Sequence, residues 1–69
     1  MTLKIYSVMS TKGVRYYVEH PEGRLHILNE RSLVWNLKSV FGVGPDIIKG
    51  ALEILATGQG AQITLKQVS

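Results

Sequence analysis

The chain has 69 residues, no cysteine, 45% apolar and 19% charged residues, and a formal net charge of +3 with a pI near 9.5. That length holds one small domain, residues 1–69, and the composition belongs to a folding chain while excluding disulfides and thiolate metal centres. No apolar run approaches the ~20 residues that cross a bilayer, and Lys4, Ser7, Ser10, Thr11 and Lys12 interrupt the start where a signal core would lie, so a cytoplasmic chain with no membrane partner is expected.

Leu3 to Met9 alternates as a strand, with Leu3, Ile5, Ser7 and Met9 on one side and Lys4, Tyr6 and Val8 on the other. Thr11-Lys12-Gly13 is a turn. Val14 to His20 is rich in β-branched and aromatic residues and reads as a second strand, with Val14, Tyr16 and Val18 opposing Arg15, Tyr17 and Glu19. Pro21-Glu22-Gly23 turns the chain again. Arg24 to Leu28 is a third strand, with Leu25 and Ile27 opposite Arg24, His26 and Leu28. Connections this short make an antiparallel meander.

Asn29 then has the chemistry of a helix N-cap, ahead of Glu30 and Ser32 in the first turn. Leu33, Leu37, Val40 and Phe41 share one helical face, which Val34 and Trp35 extend sideways. Gly42 suits the position just past a helix end. Gly44, Pro45 and Asp46 suit the cap and first turn of a second helix. Ile48, Ala51, Leu52 and Leu55 form its main stripe, widened by Ile47 and Ile54. Gly50 within it marks either a close helix approach or a tolerated weak point. Thr57-Gly58-Gln59-Gly60 ends the helix, and Ala61 to Val68 reads as a last strand. The fold expected is α+β, in the order β-β-β-α-α-β. A two-helix hairpin lies on one face of a four-stranded, mainly antiparallel sheet.

Charge is distributed unevenly over this plan. Within 29–57 the basic and acidic residues balance, so the whole excess of positive charge lies outside the helices. Lys4, Tyr6, Arg15, Tyr17, Arg24, His26 and Lys66 all fall on the expected outer sheet face. Tyrosines on a sheet stack bases and neighbouring cations neutralise phosphates, so this face is the first candidate for RNA or DNA. The same residues are also ordinary on half-exposed strands.

The turn between the helices is a second candidate. Leu37, Val40, Gly42, Val43 and Gly44, followed by an apolar helix, resemble the helix-hairpin-helix motif over residues 33–56. The resemblance implies that amides of Gly42, Val43 and Gly44 grip a nucleic-acid phosphate, with Lys38 or Lys49 nearby. Ile48 stands where that family carries a small residue, and Asp46 where it commonly carries a basic one. Helix capping alone explains the same Gly-Val-Gly-Pro run.

The helices hold more apolar side chains than one sheet face covers. Val34, Trp35, Ile47 and Ile54 are therefore candidate interface residues for a homodimer or another protein partner. His20 and His26 are the only histidines and do not have zinc-ligand spacing, so no metal or cofactor is expected. No residues assemble a nucleophile, a base and an oxyanion site, so a binding module is expected rather than an enzyme.

Overall fold

The computed structural model describes residues 1–65. Its elements are β1 (Thr2–Ser10), β2 (Gly13–His20), β3 (Gly23–Ile27), α1 (Glu30–Ser39), α2 (Pro45–Ala56) and β4 (Ala61–Thr64). The strands form one antiparallel sheet in the order β3-β2-β1-β4, with the helices on one face. This is the expected α+β plan. Residues 66–68 of the expected last strand lie outside the described residues.

Two-residue connections, Thr11–Lys12 and Pro21–Glu22, fix the register of the first three strands. The alternation then sends Leu3, Ile5, Val18, Ile27, Ala61 and Ile63 inward, all buried. They meet Leu33 and Leu37 of α1 and Ile48, Ala51 and Leu55 of α2. Four of the largest core side chains, Leu3, Ile5, Leu33 and Leu37, have no exposed surface at all. Met9 lies on the same side of β1 as Leu3 and Ile5 but is 79% exposed.

Asn29 caps α1 with its side-chain Oδ1, which accepts the Ser32 amide at 2.8 Å. At the other end Gly42 takes φ +67°, a left-handed conformation that glycine adopts at no steric cost. The chain turns back there, and Val43 donates its N–H to the Leu37 carbonyl at 2.8 Å while its side chain enters the core. Gly44 then caps α2 without a side-chain bond, and Pro45 opens the helix where a missing N–H costs nothing.

Candidate nucleic-acid interface

Register carries the outer residues into rows that run across the strands. Lys4, Glu19 and Arg24 occupy one row, with Gln62 beside Lys4 on β4. Tyr6, Tyr17 and His26 occupy the next, and Val8 and Arg15 the one after. Lys4, Arg15 and Arg24 therefore share one face with both tyrosines and His26. Lys4, Arg24 and His26 are exposed, and Tyr6, Arg15 and Tyr17 are half-buried. Lys66 lies outside the described residues.

The aromatic row is a continuous ladder. Tyr6 and Tyr17 stack with ring centroids 5.4 Å apart and planes at 23°. Tyr17 and His26 stack at 4.8 Å and 11°. These separations are close to the distance between neighbouring strands, so the rings stand up from the sheet and face each other. The Arg24 guanidinium carbon lies 4.8 Å from the Tyr17 ring centre.

A polar chain ties this row to the one beside it. Tyr6 donates its hydroxyl to Glu19 Oε1 at 3.0 Å and accepts Nη1–H of Arg24 at 3.3 Å. The hydrogen bond to Tyr6, with the electrostatic influence of the same phenol, raises the pKa of the Arg24 guanidinium above its ordinary value. Arg24 is a fixed cation on this face. Arg15 donates Nη1–H to the Leu28 carbonyl at 3.0 Å, which anchors a second cation at the end of β3.

Glu19 and Gln62 belong to this face and were not singled out by the sequence. The hairpin register was enough to place Glu19 between Lys4 and Arg24. No comparable signal fixed Gln62, because the connection from α2 to β4 does not set the pairing of β4 with β1.

The three amides of the glycine turn are not equivalent. The Val43 amide is committed to Leu37, and only Gly42 and Gly44 retain amides without a backbone partner among the described residues. The candidate interface residues separate into two places. Trp35 projects from the side of α1 opposite Leu33 and Leu37 and is 61% exposed, whereas Val34 is half-buried against the core. Ile47 and Ile54 are exposed seven residues apart on one flank of α2.

Among the described residues no group of three or more His, Asp or Glu side chains is placed to hold a metal ion. No helix there is long and apolar enough to cross a membrane. Comparison with protein-family models, curated proteins and solved structures finds no match to this chain. The helix-hairpin-helix resemblance gains no support from it.

Proposed function

We propose that this chain is a cytoplasmic, non-enzymatic binding module that holds single-stranded nucleic acid on the outer face of its sheet. The observation that carries this reading is the convergence of Lys4, Arg15 and Arg24 around the Tyr6–Tyr17–His26 ladder. Three cations within a small area neutralise successive phosphates and release their counterions, a contribution that does not depend on sequence. The ladder turns most of its ring faces toward its own members. Electrostatics therefore supplies most of the affinity, and base contacts are few.

The test is binding of a labelled single-stranded oligonucleotide across a salt series. Single strands lose affinity with a log–log slope of about −0.7 per phosphate contacted, so three contacts give about −2. Lys4→Glu should weaken binding of every sequence alike and make the slope shallower. No binding at low ionic strength would overturn the reading.

Exposure of Trp35 favours a second reading, in which the helical side meets a protein. A large aromatic side chain placed directly opposite its own helix's core stripe is a natural anchor for a second copy of this chain or another subunit. It uses the opposite side of the molecule, so the two readings are compatible. Sedimentation over a wide concentration range tests the homodimer.

A further inference from the structure

The aromatic ladder stops short of the last strand. Its rungs step from His26 on β3 to Tyr17 on β2 and Tyr6 on β1. The next position lies on the residue just before β4. The pairing of Lys4 with Gln62 and Ile5 with Ala61 continues to place Gly60 beside Tyr6, where no side chain stands. One face of the Tyr6 ring rests on Tyr17, and the other looks over exposed Gly60.

Neither strain nor crowding demands a glycine there. Gly60 is not among the glycines with left-handed φ. A Cβ built on it lies 3.4 Å from the Ile5 carbonyl oxygen and 3.8 Å from Tyr6 Cβ, which are ordinary contacts. A side chain fits, so what the glycine does at this position is leave the ring face bare. The bare position forms a cleft of about 240 Å³ lined by Lys4, Ile5, Tyr6, Gly60, Ala61 and Gln62.

We propose that this cleft is a stacking site for one nucleobase, which lies on the open face of Tyr6 above Gly60 and completes the ladder as its fourth ring. The proposal rests on the nucleic-acid reading and deepens it. The spacing suits it, because successive strands separate rungs by about one stacking step. The Tyr6 ring is already held upright by Tyr17 and by its hydroxyl's bonds to Glu19 and Arg24, so little ordering accompanies binding. Lys4, one rung along, supplies a cation for the attached phosphate. Gln62, on the neighbouring strand, brings an amide with both donors and an acceptor to the edge of a base. Stacking accepts any base, so this site adds affinity with little sequence preference.

The experiment compares a single-stranded oligonucleotide with an abasic strand of the same length, against the wild-type chain and Gly60→Thr. Threonine suits a strand and fills the cleft. The wild type is expected to prefer the base-bearing strand by about tenfold, the gain from one stacked base. Gly60→Thr should lose that preference and bind the abasic strand as the wild type does. Ring-proton resonances of Tyr6 should move upfield with the base-bearing strand and not with the abasic one, which tests the contact without any substitution. Equal affinity of the wild type for both strands, full preference retained in Gly60→Thr, or unmoved Tyr6 resonances would each remove the stacking site while leaving electrostatic binding in place. Failure to bind either strand at low salt would remove both.

Discussion

Tyr17 and His26 face each other across the β2–β3 pair with ring centres 4.8 Å apart and planes 11° from parallel. Tyr6 covers the other side of Tyr17, and the Arg24 guanidinium lies 4.8 Å from its centre. Tyr17 is thus the member that every other part of the ladder touches. Tyr17→Leu keeps an apolar side chain on the strand and removes two stacked pairs and one cation–π contact. With aromatic pairs contributing ~1 kcal/mol each beyond burial, and an exposed cation–π contact less, the expected loss is about 2–3 kcal/mol. Urea unfolding should show a lower midpoint at unchanged slope. An unmoved midpoint would mean that the stacked geometry contributes nothing to stability.

The two glycines of the interhelical turn have different jobs, and substitution separates them. Gly42 sits at φ +67°, with nothing within 4 Å of an added Cβ. Alanine there meets only the backbone penalty, so Gly42→Ala should cost about 1 kcal/mol. Gly44 has φ −68° and ψ 154°, which any residue adopts, and it caps α2 without a side-chain acceptor. Gly44→Ser should be neutral or stabilise by a few tenths of a kcal/mol, by supplying that acceptor. If the turn gripped phosphate instead, both variants would lose nucleic-acid affinity. If capping is its whole role, both should bind as the wild type does. Thermal unfolding and the oligonucleotide titration together distinguish the outcomes.

Much of this structure was legible because local grammar and long-range need agree. Alternation in Leu3–Met9 and Val14–His20 fixes which side of each strand is buried, and two-residue connections then leave little freedom of register. That is why the shared face of Lys4, Tyr6, Arg15, Tyr17, Arg24 and His26 follows from sequence. Asn29 and Pro45 mark their helix starts by chemistry that is purely local. What escaped depends on distance. The empty rung at Gly60 requires the pairing of β1 with β4, strands separated by the whole helical hairpin. The commitment of the Val43 amide requires a bond reaching back to Leu37 around a left-handed residue.

Gly50 illustrates a choice that only packing settles. In sequence it marks either a close approach of two helices or a weak point. A Cβ built on it meets nothing within 4 Å, so the helical hairpin of a single chain does not need it. Gly50→Ala should therefore stabilise the fold by about 0.5–1 kcal/mol through helix propensity and a less flexible unfolded chain. A rise in melting temperature of a few degrees is the expected reading for a domain of this size. Destabilisation that grows with protein concentration would instead place Gly50 against a second copy.

Trp35 provides the sharpest division between folding and association. Its side chain leaves α1 directly opposite Leu33 and Leu37, and 61% of it is exposed. Trp35→Ser removes little buried area within one chain, so unfolding in dilute solution should shift by no more than about 0.5 kcal/mol, the ordinary range for surface substitutions. Leu37→Ala, fully buried one half-turn away, should cost about 2–5 kcal/mol and serves as the contrasting control. If Trp35 anchors a homodimer, the wild type should sediment as a dimer at high concentration, Trp35→Ser should sediment as a monomer, and the indole emission of the wild type should move to the blue as concentration rises. A wild type that remains monomeric throughout, with emission fixed at its water-exposed position, would rule out self-association through this face.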